Sequence, residues 1–213
     1  GRFIMINVKL LFVDTSCEFS RYKKYLSFLP NERLEKISRF RFDKDKILSL
    51  FSGLLICTEA SKQAGIKSNE IQFEYNEHEK PSIKNFSEFH FSVSHSGNCV
   101  AFASDTSPIG IDAEIISNAR IEIAKRFFSE NEYKYILESE SQGNAFYEIW
   151  TKKEAYVKFL GTGLSTPLSS FDVTNKNLSS KFYTKQISEY MLSIFSENQN
   201  LSENNIKIEI LNY

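Results

Sequence analysis

Two carboxylates, Asp112 and Glu114, stand two residues apart directly after the apolar residues Ile109 and Ile111. Side chains alternate between the two faces of a strand, so a strand here would present both carboxylates on one face. Like charges at this spacing repel each other unless a cation lies between them, and carboxylate oxygens are ligands that Mg²⁺ accepts. The spacing therefore predicts a strand that carries two ligands of a divalent metal ion.

A carboxylate and an ammonium group recur on one predicted helix, at Glu154 and Lys158, in line with Trp150. Residues four apart share a helix face, with about 5–6 Å between neighbouring side chains. A third carboxylate beside a cation, added to the pair on the strand, is the pattern expected of a site for magnesium and phosphate. Each motif alone is more often a solvated strand edge or a surface ion pair, so the inference rests on their combination.

Four motifs occur together in this chain, and their order and spacing are informative. They are Phe91-Ser92-Val93-Ser94-His95-Ser96-Gly97, Ile109-Gly110-Ile111-Asp112-Ala113-Glu114, Phe127-Phe128-Ser129-Glu130-Asn131-Glu132, and Trp150 to Lys158 followed by Gly161-Thr162-Gly163-Leu164-Ser165. In this order the chain resembles phosphopantetheinyl transferases of the surfactin-synthetase-activating type. Looser likeness from Arg33 to Phe40 and at Lys80-Pro81 extends the resemblance over nearly the whole chain.

The resemblance implies an α+β fold of two pseudo-equivalent halves in one monomeric chain, with coenzyme A bound in the cleft between them. It also implies the reaction. A serine hydroxyl of an apo acyl- or peptidyl-carrier protein attacks the β-phosphate of coenzyme A, takes the 4′-phosphopantetheine arm and releases 3′,5′-ADP. The partners expected are therefore coenzyme A and a carrier protein, whose pathway the sequence does not indicate.

This chemistry gives the carboxylates and the lysine their expected roles. Asp112, Glu114 and Glu154 would hold Mg²⁺, for which Mn²⁺ can substitute, against the pyrophosphate oxygens. Glu154 is also the expected general base, acting directly or through a metal-bound water. Lys158 would neutralise a pyrophosphate oxygen in the transition state.

Contacts to coenzyme A are implied for a wider set of residues. These are Arg33, Lys36, Lys80, Ser94, His95, Lys153 and Lys158. His95 is expected at the 3′-phosphate or pyrophosphate, and Lys80 at the nucleotide. The basic residues Arg33 and Lys36 can equally form a solvated helix face, and Lys153, about 100° around the helix from Glu154, can equally be a solvated cation.

The chain departs from the family at two places. Glu79 stands where the family has a glycine before Lys-Pro, and the segment from Asp45 to Ser49 lacks an arginine that the family often has before the glycine matched by Gly53.

Composition argues against several classes of protein. The 26 basic and 27 acidic residues nearly cancel, which argues against general binding to nucleic acid or to a membrane. Cys17, Cys57 and Cys99 form no CxxC pair and indicate neither disulfides nor zinc. The apolar run from Ile47 to Cys57 is shorter than the roughly 20 residues of a membrane span and predicts a core helix. We find no secretory signal and expect a cytoplasmic protein.

Hydrophobic periodicity predicts the elements that position these groups. Helices are expected from Phe19 to Leu29, after Asn31, between Asp43 and Gly65, after the Ser129–Glu132 capping box, and from Phe146 to Leu160. Asn31 and Asp43 are expected to be N-caps, with Arg33 and Lys36 facing outward. Strands are expected at Ile4–Val13, Ile71–Tyr75, Phe89–Ala103 with a turn at Ser94–Asn98, Ile109–Ile115, Phe171–Val173, Lys181–Tyr183, Tyr190–Phe195 and Ile206–Leu211.

The small, polar, proline-terminated segment from Ser104 to Pro108 is the expected boundary between the halves. It predicts an N-terminal half, residues 1–105, and a C-terminal half, residues 106–213, which carries the metal site.

Two other functions remain open at this point. A metal-dependent nucleotide phosphohydrolase would use the same carboxylates with water as nucleophile, and would cleave coenzyme A without a carrier protein. A non-catalytic carrier-protein adaptor would bind the carrier tightly and transfer nothing to it.

Overall fold

Groups of helices follow groups of strands along the chain in the computed structural model, which describes residues 5–197 and 201–213. The strands within these residues are β1 (Ile6–Phe12), β2 (Phe73–Tyr75), β3 (Pro81–Ile83), β4 (His90–Ser96), β5 (Cys99–Asp105), β6 (Gly110–Ile115), β7 (Phe182–Ile187), β8 (Tyr190–Phe195) and β9 (Ile206–Asn212). The α-helices are α1 (Asn31–Ser38), α2 (Asp43–Ala64), α3 (Ile121–Phe127), α4 (Glu130–Glu138), α5 (Gln142–Leu160) and α6 (Lys176–Ser179). A 3₁₀ helix covers Phe19–Phe28, and shorter 3₁₀ turns cover Ser68–Glu70, Gly163–Ser165 and Leu168–Ser170. The predicted α+β class is confirmed.

Two sheets contain most of the strands. In the first, the strand order is β4-β5-β1-β9, with β1 antiparallel to β5 and parallel to β9. In the second, the order is β6-β8-β7, and both pairs are antiparallel. β2 and β3 form a separate antiparallel hairpin. The two sheets meet where β6, an edge strand of the second, lies beside β4, an edge strand of the first.

Each sheet packs against a long helix on one face and against the other sheet on its opposite face. α2 buries Phe51 in a cluster with Phe102 of β5, and α5 buries Phe146 in a cluster with Phe195 of β8. A third cluster lies between the sheets and includes Val8 of β1 and Ile111 of β6. The layers are therefore α2, first sheet, second sheet and α5, and burial of these apolar faces stabilises the stack.

Several local predictions are confirmed. Gly65 and Gly161 end α2 and α5 in the left-handed conformation, with φ of 71° and 69°, which glycine adopts without steric cost. Ser129 and Glu132 form the predicted capping box at the start of α4. The apolar run from Ile47 to Cys57 lies inside α2. Among the described residues, no helix is long and apolar enough to cross a membrane.

The predicted N-caps are wrong. Asn31 and Asp43 are the first residues of α1 and α2, which follow Pro30 and Phe42 in extended conformation. The Asp43 carboxylate instead accepts a hydrogen bond from the Phe19 amide at 2.9 Å. It therefore fixes the 3₁₀ helix to the start of α2.

The segment from Phe171 to Val173 is not a strand. Its backbone groups are bonded to side chains: the Phe171 carbonyl accepts from the Lys153 ammonium, and the Val173 amide donates to the Glu132 carboxylate. The predicted strand is wrong because these backbone groups bond to the side chains of Lys153 and Glu132, and not to the backbone of a neighbouring strand. β3 was not predicted, and residue 4 of the first predicted strand lies outside the described residues.

Arg33 does not face outward as predicted. It is buried between α1 and α2, where its Nη2 donates to the Ser49 carbonyl at 3.1 Å. Gly53 provides the space, because a Cβ at that position would lie 3.1 Å from the Arg33 Nε. The guanidinium is therefore part of a helix–helix contact.

The chain passes from the first sheet to the second between Asp105, the end of β5, and Gly110, the start of β6. It later returns, because β9 pairs with β1 from Ile6↔Ile206 to Phe12↔Asn212. Cys17, Cys57 and Cys99 are free thiols.

Candidate functional site

Asp112 is the central carboxylate of the predicted site. It lies on β6 with 2% of its surface exposed. Its Oδ1 accepts hydrogen bonds from Ser94 Oγ at 2.6 Å and from Lys158 Nζ at 2.7 Å. Its Oδ2 is buried and has no hydrogen-bond partner among the described residues. One oxygen of this carboxylate therefore remains able to take a further ligand.

Glu114 follows on the same face of β6. Its Oε2 accepts a hydrogen bond from Ser96 Oγ at 2.6 Å. Burial raises the pKa of Glu114, and the negative charge of Asp112 raises it further, whereas the bond from Ser96 and the charge of Lys158 act in the opposite direction. The two carboxylates thus lie close enough to repel each other, as their spacing predicts.

A close approach of α5 to β6 brings the third carboxylate to the pair. A Cβ on Gly110 would overlap the carbonyl oxygen of Ala155 and lie 2.7 Å from the amide nitrogen of Phe159. A hydrogen bond of 2.8 Å between the hydroxyls of Thr151 and Ser193 also joins α5 to the second sheet. Only glycine at residue 110 permits this contact.

Glu154 lies on the face of α5 that meets β6. Burial raises its pKa, the charges of Asp112 and Glu114 raise it further, and the Lys158 ammonium lowers it. The structure therefore brings together all four residues that the sequence predicts for the chemistry: Asp112, Glu114, Glu154 and Lys158.

The donors suit a hard divalent ion, since all three are carboxylates and the buried Asp112 Oδ2 lacks a partner. In the conformation described, however, no three His, Cys, Asp or Glu side chains of the described residues are grouped around one point as metal ligands would be. Binding of a metal ion by Asp112, Glu114 and Glu154 would therefore require their side chains to turn toward one another. One oxygen each of Asp112 and Glu114 is bonded to a serine, and Lys158 supplies the positive charge beside Asp112.

A cleft of about 710 Å³ opens beside Glu154 and Lys158. It is bounded by the turn between β2 and β3, by β4, by α3, by α5 and by the segment after α5. The residues lining it are His78, Glu79, Lys80, Pro81, Phe91, Ser92, Val93, Ile123, Phe127, Trp150, Glu154, Val157, Lys158, Gly161, Gly163, Thr166, Pro167, Leu168 and Ser169. The carboxylate cluster thus meets a cavity large enough for an organic substrate.

Two family models divide the chain between them. The model for 4′-phosphopantetheinyl transferase, N-terminal, matches residues 16–107. The model for the 4′-phosphopantetheinyl transferase superfamily matches residues 108–208, which include β6 and α5.

Named relatives agree with these matches. The 4′-phosphopantetheinyl transferase Sfp of Bacillus subtilis is 37% identical over 165 residues, which cover 76% of this chain and 74% of that protein. The 4′-phosphopantetheinyl transferase gsp of Aneurinibacillus migulanus is 34% identical over 192 residues, 88% of this chain and 80% of that protein. The chain belongs to the 4′-phosphopantetheinyl transferase superfamily. A more distant relative is the L-aminoadipate-semialdehyde dehydrogenase-phosphopantetheinyl transferase of Saccharomyces cerevisiae, 28% identical over 162 residues, 71% of this chain and 60% of that protein.

The predicted resemblance and the predicted enzyme class are therefore confirmed. Membership in a family that uses coenzyme A favours the transferase over the phosphohydrolase and adaptor alternatives.

The residues predicted to contact coenzyme A differ in whether they line the cleft. Lys80 lines it, but its Nζ donates to the Phe159 carbonyl at 2.9 Å, at the C-terminal end of α5, and burial lowers its pKa. Lys36 is exposed on α1 and is not among the residues that line the cleft. Ser94 and His95 are neighbours on β4, so their side chains point to opposite faces of the strand. Ser94 is buried, and His95 is exposed.

The environment of His95 connects it electrostatically to the carboxylate cluster. Partial desolvation and the Lys158 ammonium lower its pKa, and the carboxylates of Asp45 and Asp112 act in the opposite direction. The charges that act on His95 thus come from the start of α2, from β6 and from the last turns of α5.

Lys153 does not contact the cleft. Its side chain is completely buried, and its Nζ donates to the carbonyls of Leu168 at 2.6 Å and Phe171 at 2.8 Å and pairs with Glu132 at 2.8 Å. Burial lowers the pKa of Lys153, and the Glu132 charge opposes that shift. The expected coenzyme A contact is corrected to a structural ion pair, because the Lys153 side chain points into the protein instead of toward solvent.

Sequence reasoning missed two serines of this transferase. Ser92 accepts a hydrogen bond from the Ile111 amide at 3.1 Å, and Ser96 donates to Glu114. The available signal was the recurrence of serine at alternate positions of a predicted strand.

Proposed function

We propose that this transferase moves the 4′-phosphopantetheine arm of coenzyme A to a serine of an apo acyl- or peptidyl-carrier protein and releases 3′,5′-ADP. The observation that supports this best is the position of Glu154 and Lys158, which line a substrate-sized cleft directly beside the buried Asp112 carboxylate. A base, a cation and metal ligands are the groups that attack on a pyrophosphate requires.

Glu154 is the proposed general base. The serine oxygen forms a bond to the β-phosphorus, its proton passes to the Glu154 carboxylate, and the bond from phosphorus to the leaving 3′,5′-ADP oxygen breaks. Burial and the neighbouring carboxylates raise the pKa of Glu154. A higher pKa makes the carboxylate a stronger base near neutral pH.

Lys158 is the proposed cation for the transferring group. Its side chain is 29% exposed while the Asp112 side chain is 3% exposed, so the ammonium can be reached from the cleft. A positive charge there favours the transition state over the ground state as negative charge builds on the leaving oxygen.

Asp112, Glu114 and Glu154 are the proposed ligands of Mg²⁺ or Mn²⁺. The bound ion would neutralise charge on the pyrophosphate oxygens. Lys158 provides the only ion pair to Asp112 within the described residues.

His95, Lys36 and Lys80 are the proposed contacts to the nucleotide end of coenzyme A. Of these, Lys80 lines the cleft, and His95 shares an electrostatic environment with Lys158. Arg33 and Lys153 are excluded from the proposal because their cationic groups are buried and bonded to backbone carbonyls.

The test uses a carrier protein and a copy in which the acceptor serine is alanine. We expect a phosphopantetheine mass increase on the first carrier only, in the presence of coenzyme A and Mg²⁺. Release of 3′,5′-ADP at the same rate with the serine-less carrier would instead identify a hydrolase. A panel of acyl- and peptidyl-carrier proteins would then define the substrate.

A further inference from the structure

Serine hydroxyls join the two sheets along one seam. Ser92, Ser94 and Ser96 occupy alternate positions of β4, beside β6 of the other sheet. The Ile111 amide donates to Ser92 Oγ at 3.1 Å, and the Ile115 amide donates to Ser96 Oγ at 3.4 Å. The hydroxyls thus satisfy backbone groups of β6 that have no neighbouring strand on that side.

The same seam contacts both carboxylates of β6. Ser94 Oγ donates to Asp112 Oδ1 and Ser96 Oγ donates to Glu114 Oε2, each at 2.6 Å. Such short bonds from a hydroxyl to a carboxylate are charge-assisted and are stronger than neutral hydrogen bonds. Because Ser96 Oγ already accepts from the Ile115 amide, its own proton is directed to Glu114.

Each serine leaves one carboxylate oxygen unbonded. Within the described residues, Asp112 Oδ2 has no partner, and Glu114 forms only the bond through its Oε2. The two carboxylates lie on the same face of β6, two residues apart, where like charges repel each other. Without the serine donors, Glu114 would lose its only hydrogen bond within the described residues, and Asp112 would keep only the bond from Lys158.

We propose that Ser94 and Ser96 are positioning residues that hold Asp112 and Glu114 with their unbonded oxygens available to the divalent metal ion. This inference rests on the proposed function, in which these carboxylates bind the metal. Groups that hydrogen-bond to metal ligands fix the orientation of the ligands, and their loss lowers metal affinity.

Ser92 is the matched control. It is on the same strand and the same seam, but its hydroxyl accepts from a backbone amide and donates to neither carboxylate. If the seam served only to join the sheets, removing any of these hydroxyls would have the same kind of effect. If Ser94 and Ser96 position ligands, only their removal weakens metal binding.

The test measures binding of Mn²⁺ to the protein without coenzyme A, from the electron paramagnetic resonance signal of free Mn²⁺. We expect Ser96→Ala and Ser94→Ala to raise the dissociation constant about 10- to 100-fold. Ser92→Ala should leave the dissociation constant for Mn²⁺ unchanged. Ser96→Thr, which keeps the hydroxyl, should have a dissociation constant close to that of the unchanged protein. Thermal unfolding of each variant identifies any loss of fold, and the Thr variant tests the role even if one Ala variant unfolds.

The outcomes separate this inference from the function it rests on. Wild-type affinity in both Ala variants, or equal weakening by Ser92→Ala, would overturn the positioning role and leave the transferase intact. No Mn²⁺ binding by the unchanged protein would overturn the proposed metal site and the positioning role together. Weak binding of Mn²⁺ to the Ser96→Thr variant, which keeps the hydroxyl, would likewise count against the positioning role of that hydroxyl.

Discussion

Lys153 Nζ lies 2.8 Å from Glu132 Oε2 in an ion pair whose two side chains have no solvent exposure. Both partners have further bonds. Lys153 donates to the carbonyls of Leu168 and Phe171, and Glu132 accepts from the amides of Ser129 and Val173. The pair therefore joins α4 and α5 to the segment after α5, part of which lines the cleft.

Replacing one partner of this pair should destabilise the protein strongly. Lys153→Met leaves the Glu132 carboxylate buried without its cation, which costs about 3–5 kcal/mol in the free energy of unfolding. Urea denaturation measures this loss. Lys152→Met is the control, because Lys152 pairs with Glu148 at a partly exposed site and such pairs contribute about 0.5 kcal/mol or less.

A double variant tests whether the loss comes from the pair itself. Lys153→Met combined with Glu132→Gln removes both charges, and should cost less than the sum of the single changes. Strictly additive losses would show that the two charges do not interact.

Gly110→Ala should disrupt the contact between β6 and α5. The new methyl group would overlap backbone atoms of Ala155, which cannot rotate away as a side chain can, and we expect a loss of about 3 kcal/mol or more in the free energy of unfolding. Gly65→Ala is the control. Gly65 has φ of 71° but no atom within 4 Å of an added Cβ, so its replacement should cost only about 1–2 kcal/mol of backbone strain. Thermal unfolding of both variants measures the difference. An equal fall in melting temperature for Gly110→Ala and Gly65→Ala would contradict the close-contact explanation.

Asp112→Ala and Glu154→Ala should each lower the rate of phosphopantetheine transfer at least about 100-fold, equivalent to about 2.7 kcal/mol of transition-state stabilisation. Glu114→Ala should be milder, since a water can replace one ligand. Transfer rates across a magnesium titration measure these effects. Asp105→Ala is the control, because Asp105 is also buried but lies at the end of β5 and does not line the cleft. Full activity in excess chelator would contradict the metal assignment.

His95→Ala and Lys36→Ala should chiefly raise the KM for coenzyme A. If either side chain binds the 3′-phosphate, its removal should have little effect with dephospho-coenzyme A, which lacks that group. Steady-state kinetics with the two substrates give the comparison. Equal losses with both substrates for both variants would mean that neither residue recognises the 3′-phosphate.

The chemical centre was predictable because it depends on local periodicity. The period of a strand places Asp112 and Glu114 on one face, and the period of a helix aligns Glu154 with Lys158. The resemblance to a known family supplied the pairing of these two elements, which periodicity alone does not give. The division of the chain at residues 105 and 106 stays a prediction.

The buried cations were not predictable in the same way. Arg33 and Lys153 stand at positions where a helix pattern allows solvent exposure. Their burial depends on residues that are distant in the sequence, one of which is a glycine. Gly53 makes room for Arg33, and Glu132 compensates Lys153. The seam of serines was missed because the sequence does not show that β4 and β6 lie side by side in different sheets.

The pairing of β9 with β1 has a consequence for how the protein is made. Among the described strands, β1 is the first that the ribosome produces and β9 is the last, although the two lie side by side from Ile6↔Ile206 to Phe12↔Asn212. Throughout translation of the intervening residues, one edge of β1 lacks its partner, and an open strand edge is a template for pairing with other chains. The nascent polypeptide therefore carries an aggregation-prone edge while the residues between β1 and β9 are made, and that exposure ends only when residues 206–212 have left the exit tunnel.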